Sequence, residues 1–346
     1  MLPKEILITG GAGFLAATLA ARFRKDGVSV RLLDVRKCPT WACRPGIQYF
    51  RGDIRDPAAV TGALKGADAV VHAAFAPPYH SSEAIRSVNV DGTRNLAECA
   101  VKQQTQRVIL ISSTIVLKPR RVHPFFRRSP LNQLDVYRAS RAEAESIAAA
   151  YESKGLATAI VRPKTFLGPG RVSAFAILLE RIRHGRSVPV LGNGRNRYQL
   201  LDIRDLAEGI RLLTSADARG VFSFGAREYR TVREDLQKIV DHSDTGARLQ
   251  FISPTVARAL LRGMEMANLM PLSEWHYMSA RGDDSVVDIS RAENELGWRP
   301  KKSNAQALQD TYDWYIATIA KQGTAKTAHP VPFAHQLLKK LSSILP

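Results

Sequence analysis

Near the N-terminus, Gly10, Gly13 and Ala16 recur at three-residue intervals. Small residues at that spacing let a backbone turn sharply and approach a pyrophosphate. A helix that begins there directs its unpaired N–H groups at the anion. Asp34 follows about 20 residues past the loop, where a carboxylate accepts hydrogen bonds from an adenosine ribose and repels a 2′-phosphate. The pattern points to a nicotinamide dinucleotide. Asp34 favours NAD, and NADP is the alternative because Arg36 and Lys37 follow and could hold the extra phosphate.

A glycine triplet alone is a weak signal, so the elements around it matter. Ile6–Thr9 reads as a buried strand and Phe14–Lys25 as the helix that the loop opens. Further strands are expected at Val28–Asp34, Gln48–Gly52, Ala69–Ala74, Val108–Ser113 and Ala157–Arg162. Helices are expected at Pro57–Lys65, Ser82–Lys102 and Tyr137–Ser153. Alternation of helices with near-continuous apolar strands predicts an α/β fold, a doubly wound parallel sheet of the Rossmann type. After Pro163 the texture changes, with Gly168-Pro169-Gly170 and Gly192-Asn193-Gly194 punctuating loops. Helical stretches follow at Ile203–Thr214, Pro254–Met270 and Asn304–Ile319. We therefore expect a dinucleotide-binding domain over 1–162, with later strands contributed from about 188–225. A smaller, mostly helical substrate portion would span 163–322, interleaved with it, and 323–346 would form a linker and an amphipathic tail.

At 346 residues and 45% hydrophobic content the chain can bury a full core. Its net charge of +18 attracts polyanions, whether nucleic acid, anionic lipid or phosphate-bearing small molecules. Cys38, Cys43 and Cys99 form no zinc-like pattern, so no metal is expected and the thiols read as reduced and cytosolic. The N-terminal apolar run is only a strand long, so no signal peptide is expected, and no segment approaches a spanning helix.

From Ile6 to about Tyr315 the sequence resembles the extended short-chain dehydrogenase/reductase family, the NAD-dependent epimerase/dehydratase group. The landmarks occur in order: Thr9-Gly10-Gly11-Ala12-Gly13-Phe14-Leu15-Ala16, Gly52-Asp53-Ile54-Arg55-Asp56, His72-Ala73-Ala74, Asn89-Val90-Asp91-Gly92-Thr93, Ser112-Ser113-Thr114 and Tyr137-Arg138-Ala139-Ser140-Arg141-Ala142-Glu143. Arg162-Pro163, Gly168-Pro169-Gly170, Asp205-Leu206-Ala207 and Leu296-Gly297-Trp298-Arg299-Pro300 complete them. The resemblance implies that Gly10, Gly13, Phe14, Leu15, Asp34, Arg36, Asp53, Ile54, Ala73, Ala74, Asn89 and Pro163 hold the cofactor, with Asp53 and Ile54 flanking the adenine. It also implies that Ser113 hydrogen-bonds the reacting oxygen and that Tyr137 is the acid/base. A phenol is a poor base at neutral pH unless a cation stabilises the phenolate. The family's cation is a lysine four residues after the tyrosine, which also bonds the nicotinamide ribose. Here that position is Arg141, which keeps the charge but presents a planar fork of different reach. As a local pair, Tyr137 and Arg141 also read as helical neighbours one turn apart.

Other departures bear on substrate. Thr165 stands in Pro163-Lys164-Thr165-Phe166 where sugar-nucleotide members commonly carry asparagine, with Lys164 beside it. Val116-Leu117-Lys118 replaces a Val-Tyr-Gly motif. Thr114, Lys164, Thr165, Arg197 and Arg281 are the candidate substrate contacts, because guanidinium groups suit a nucleotide diphosphate. His72 reads as a packing residue at a strand end. Lys118-Pro119-Arg120-Arg121 and Arg127-Arg128 flank Phe125 and Phe126 in the loop before Tyr137, favouring an anionic substrate or a membrane surface over nucleic acid. The apolar stripe of 333–345, with Lys339 and Lys340 opposite, fits either an interfacial anchor or packing on the chain's own body or a partner.

The expected function is an NAD-dependent epimerase or dehydratase acting on a hydroxyl or keto group, most readily of a nucleotide-activated sugar. Two alternatives stand beside it. One is an NAD(P)H-dependent reductase of a lipid-like ketone at a membrane surface. The other is a non-catalytic dinucleotide binder in which Arg141 has ended turnover. A cytoplasmic location, with peripheral contact at the inner face of the membrane, and a homodimer are the accompanying expectations.

Overall fold

Strand β1 (Glu5–Thr9) pairs in parallel with β2 (Ser29–Asp34) on one side and β4 (Ala69–His72) on the other. This computed structural model describes residues 2–78, 80–117, 132–171, 175–256, 259 and 282–319. Strand β3 (Ile47–Arg51) extends the sheet beyond β2, while β5 (Arg107–Ile111) and β6 (Ala157–Pro163) extend it beyond β4. The order changes direction between β1 and β4, and in such sheets ligands bind in the crevice at the carboxyl ends of the strands on either side of that point. Every residue of β4 and β5 is buried, as strands covered on both faces require.

Helix α1 (Phe14–Lys25) packs Phe14, Leu15, Ala16, Leu19, Ala20 and Phe23 inward and places Arg22, Arg24 and Lys25 in its last turn, where they complement the helix dipole. Helix α2 (Pro57–Leu64) starts with Pro57 and is capped by Asp56, whose side chain accepts the Ala58 N–H. The stretch expected as one helix over 82–102 is three pieces: α3 (Ser82–Arg86), one π turn (Ser87–Asp91) and α4 (Gly92–Lys102). The wider π turn carries Asn89 and Val90 inward. Helix α5 (Asn132–Glu152) begins five residues earlier than expected and carries Tyr137 and Arg141. Ala144 and Ala148 on its inner stripe pack with Leu110 of β5 and Ile160 of β6. Arg162 on β6 clamps α5 through a two-point ion pair with Glu145, at 2.9 and 2.5 Å.

The chain divides into two units, and both are discontinuous in sequence. The first comprises 1–163, 206–224 and 288–299. The second comprises 164–205, 225–287 and 300–346. Of the strands expected to reach the main sheet from about 188–225, one joins it and two do not. β8 (Val188–Leu191) pairs with β11 (Leu249–Ile252), and β9 (Leu200–Asp202) pairs with β7 (Thr165–Leu167). Only β10 (Gly220–Phe224), reached through α7 (Ile203–Ser215), joins the sheet, beside β6. Isolated apolar runs this short read alike whether they enter a large sheet or a small one. The return of 288–299 to the first unit was not anticipated. There Trp298 meets Phe224 edge-on with centroids 4.8 Å apart, and Arg291 donates to the carbonyls of Val221 and Arg219 along the outer strand. That guanidinium caps an otherwise exposed sheet edge.

The second unit has its own core, built from Leu178, Leu179 and Ile182 on α6 (Ala176–Arg183) and Leu236, Ile239 and Val240 on α8 (Val232–Ser243), with Leu308 and Tyr312 from a later helix. Helix α9 (Ser290–Leu296) is followed by α10 (Asn304–Trp314), where Ser303 and Gln306 form a capping box. Among the described residues no helix is long and apolar enough to cross a membrane.

Candidate active site

Residues that leave the carboxyl ends of β1, β2, β4 and β5 form the site in the first unit. Gly10 sits at φ +71°, and a Cβ there would lie 2.6 Å from the Ala73 carbonyl oxygen. Only glycine fits, because the loop after β1 lies directly on the segment after β4. Gly13 caps α1 without a side chain, and the first turn of that helix holds no acid. The turn is therefore suited to a pyrophosphate.

Asp34 ends β2 and is nearly buried. One carboxylate oxygen accepts the Ala12 N–H at 3.0 Å, which ties the glycine loop to β2. The carboxylate also accepts the backbone N–H, Nε and Nη2 of Arg36 at 2.9 to 3.0 Å. Burial works against its charge, but the Arg36 bonds and the Ala12 N–H outweigh that, holding the carboxyl below its ordinary range. Arg36 thus lies against Asp34, its side chain about half exposed. Asp53, past β3, is held by Arg55 through Nη2 at 2.6 Å and Nε at 3.0 Å, while the buried Ile54 packs beneath Gly92.

His72 settles into a closed chain of hydrogen bonds. The Thr93 hydroxyl donates to the Asn89 carbonyl at 2.6 Å, so it accepts from His72 Nε2 at 3.0 Å. His72 Nδ1 then accepts the Thr9 hydroxyl at 2.7 Å, and that oxygen accepts the N–H groups of Ala73 and Ala74. Complete burial, with the Arg141 charge adding to it, pushes the imidazole down to about 3. A neutral, fully bonded histidine holds β1, β4 and α4 together and has no proton to trade near neutrality, in keeping with a packing role.

Ser113 is half-buried just beyond β5, where its Oγ accepts the Ile115 N–H at 3.3 Å. Thr114 next to it is buried in a short 3-10 turn. Tyr137 is half-buried on α5, and Arg141 one turn on is wholly enclosed. Arg141 Nη2 donates to the Ile111 carbonyl at 2.7 Å, linking the helix to the strand end that carries Ser113. Its Nε and Nη1 are buried without a hydrogen-bond partner among the described residues. The guanidinium carbon lies 5.6 Å from the Tyr137 ring centre. Burial lowers the guanidinium's affinity for its proton, against the pull of Tyr137 and Glu145, yet at neutral pH an arginine stays charged. Asn89 is spent on position: its amide bonds Ala76 through both N–H and carbonyl and donates to Ser140 Oγ at 3.0 Å, while Ser140 donates to the Tyr137 carbonyl.

The residues fit a nicotinamide dinucleotide. A glycine cradle adjoins the opening of α1, an acid ends β2, and a buried cation retains unused donors of the kind that ribose hydroxyls would satisfy. Sequence reasoning missed Phe75, whose ring stacks on Arg141 at 3.6 Å. No local signal marks it, since the pair joins the exit of β4 to a helix far along the chain.

The remaining candidates lie in the second unit. Lys164 is buried, donates to Ser285 Oγ at 2.6 Å and sits 4.6 Å from the Tyr198 ring centre. Thr165 Oγ1 shares a 2.8 Å hydrogen bond with the Tyr198 hydroxyl. Arg197 is exposed, and Asp284 holds it through Nε at 2.8 Å and Nη2 at 2.7 Å. Arg281, the basic loop 118–131 and the stripe 333–345 lie outside the described residues. Pro163 ends β6 opposite Phe224. Cys38 and Cys43 are free thiols 3.4 Å apart, and no group of three or more His, Cys, Asp or Glu is placed to hold a metal among the described residues.

Fold and site together define a dinucleotide-dependent enzyme of the Rossmann class. The sequence profile of the NAD dependent epimerase/dehydratase family matches residues 6–225, and the chain belongs to that family. Its cofactor is accordingly NAD. The chain is 33% identical over 342 residues to a Sinorhizobium fredii protein called uncharacterized protein y4nG, covering 98% of this chain and 85% of that one. It is 28% identical over 334 residues to a dTDP-glucose 4,6-dehydratase of Streptomyces niveus, covering 90% and 92%. A UDP-glucose 4-epimerase structure from Thermotoga maritima, solved with UDP-glucose, superposes with a TM-score of 0.71 at 19% identity, covering 91% of this chain and 99% of that one.

Proposed function

We propose that this chain is an epimerase or dehydratase acting on a nucleotide-activated sugar. It would oxidise a secondary hydroxyl transiently at Tyr137 and finish without net redox change. The observation that carries this reading is Arg141: a fully buried guanidinium, fixed to the Ile111 carbonyl beside the Tyr137 ring, with Nε and Nη1 lacking a hydrogen-bond partner among the described residues. A charge kept dry with idle donors costs stability, and such costs are retained where a ligand satisfies them. The dTDP-glucose dehydratase similarity over most of both chains supports the substrate class.

Bound NAD supplies the hydride acceptor and donor. The Tyr137 oxygen takes the proton of the substrate hydroxyl as the carbonyl forms and returns it when the carbonyl is reduced. The Ser113 hydroxyl donates to the same substrate oxygen, orienting it. The Arg141 charge, one turn along α5, stabilises the phenolate, and its spare N–H groups hold the ribose.

The test is to release and identify bound dinucleotide, then follow a panel of UDP- and dTDP-sugars without added NAD. We expect stoichiometric NAD and a sugar product isomeric with the substrate, or dehydrated relative to it. Tyr137→Phe should cut turnover by roughly 10²–10⁴ while leaving NAD bound. Stoichiometric consumption of NADH by a ketone would instead make the chain a net reductase. Bound NAD with no turnover of any sugar nucleotide would leave only a dinucleotide binder.

A further inference from the structure

Phe75 leaves β4 three residues after His72 and faces the guanidinium of Arg141. Its ring lies 3.6 Å from the guanidinium carbon of Arg141, close enough for face-to-face stacking. The ring is itself fixed. His72 lies tilted against it with centroids 4.9 Å apart, and the cluster of Leu110, Ala144, Ala148 and Ile160 packs against it. His72 is locked in turn by Thr9 and Thr93.

A guanidinium is a flat group whose usefulness depends on the direction of its plane. Here Nη2 is taken by the Ile111 carbonyl at 2.7 Å. One contact alone would let the plane swing about it, and a stacked ring removes that freedom. Nε and Nη1, which have no partner among the described residues, are then held in one orientation. A lysine ammonium is a compact point charge with no face to stack, so the ring serves an arginine specifically.

We propose that Phe75 is a positioning residue that orients the Arg141 guanidinium toward the nicotinamide ribose, making arginine serviceable where the family resemblance implies a lysine. This rests on the functional reading above, but only on its cofactor half. The ring and the guanidinium work as a pair, and substituting either one alone disturbs the hold on NAD.

A double-mutant cycle read as NAD affinity of the purified full chain tests the pair. Phe75→Leu, which removes the π face but keeps apolar bulk, should weaken NAD binding roughly tenfold. Phe75→Tyr, which keeps the face, should stay within about twofold of the unaltered chain. In an Arg141→Lys background, Phe75→Leu should change affinity by less than about threefold, because no stack remains to lose. Equal losses in both backgrounds would mean that Phe75 only fills space, and unchanged affinity in Phe75→Leu would mean that it does not position Arg141; either overturns the inference. If Phe75→Leu does not fold, Phe75→Met carries the same comparison. A chain that binds NAD but turns over no sugar nucleotide overturns the catalytic reading and leaves this cycle fully readable. An unaltered chain that binds no NAD overturns both.

Discussion

Replacing Arg141 with methionine should make the folded chain more stable and the enzyme much slower. The guanidinium is entirely enclosed, with Nε and Nη1 lacking partners among the described residues. Each unmet buried donor costs about 1–3 kcal/mol, and the buried charge adds a desolvation cost. Methionine fills similar space without either. Against this stands the Ile111 carbonyl, which loses its 2.7 Å bond. The net expectation is a gain of about 1–3 kcal/mol in the cofactor-free protein. For catalysis, the charge lies 5.6 Å from the Tyr137 ring centre. With the phenolate charge taken as centred on the ring, two unit charges at about that separation and an effective dielectric near 20 attract by about 3 kcal/mol. Losing that support for the phenolate should slow turnover roughly a hundredfold. The assay pairs denaturant unfolding of stripped protein with kcat on whichever sugar nucleotide the unaltered chain converts. A variant that is less stable and equally active would refute the reasoning, since Arg141 would then be a structural residue.

Acidification gives a second test. Folded His72 is held at about 3, whereas the unfolded chain protonates it near 6.5. The unfolded state therefore binds the proton first, and stability falls as pH drops below the unfolded value, by about 2 kcal/mol at pH 5 from this residue. Denaturant unfolding at pH 7 and pH 5 should show His72→Gln losing about that much less than the unaltered chain, and equal losses would mean that the folded imidazole accepts a proton. Asp34→Asn releases the Arg36 guanidinium from its two-point pair and should lower the preference for NAD over NADP roughly tenfold, read from the two dissociation constants. An unchanged ratio would mean that Asp34 serves only to tie down the glycine loop. Gly10→Ala places a Cβ 2.6 Å from the Ala73 carbonyl at a positive φ, so NAD binding should be lost and stability reduced by about 1–3 kcal/mol. Normal binding by that variant would show that the segment after β4 can yield.

Much of this protein was legible in its sequence because the controlling physics is local. β1, β4 and β5 announce themselves as runs of apolar residues bounded by breakers, which is what strands covered on both faces must be. The glycine loop is legible because only glycine takes the φ of Gly10, and Asp34 because its distance along the chain is set by one βαβ unit. Tyr137 and Arg141 are legible as a pair because helical spacing puts residues four apart on one face.

What the sequence left undecided depends on which distant segments meet. The short runs at 188–191 and 200–202 go to small two-stranded sheets, while 220–224 joins the main one. Their composition is the same kind of apolar in each case, and the partner is chosen by the packing of the whole chain. The state of His72 follows from three elements closing around it. The stack of Phe75 on Arg141 joins residues separated by much of the first unit, so no spacing rule could signal it. The sequence by itself therefore determined the class of fold, the dinucleotide loop and the presence of a cation near a tyrosine. Only the tertiary structure decided how that cation is held and which of its donors lack a partner among the described residues, because a guanidinium's direction is set by neighbours that sequence proximity does not supply.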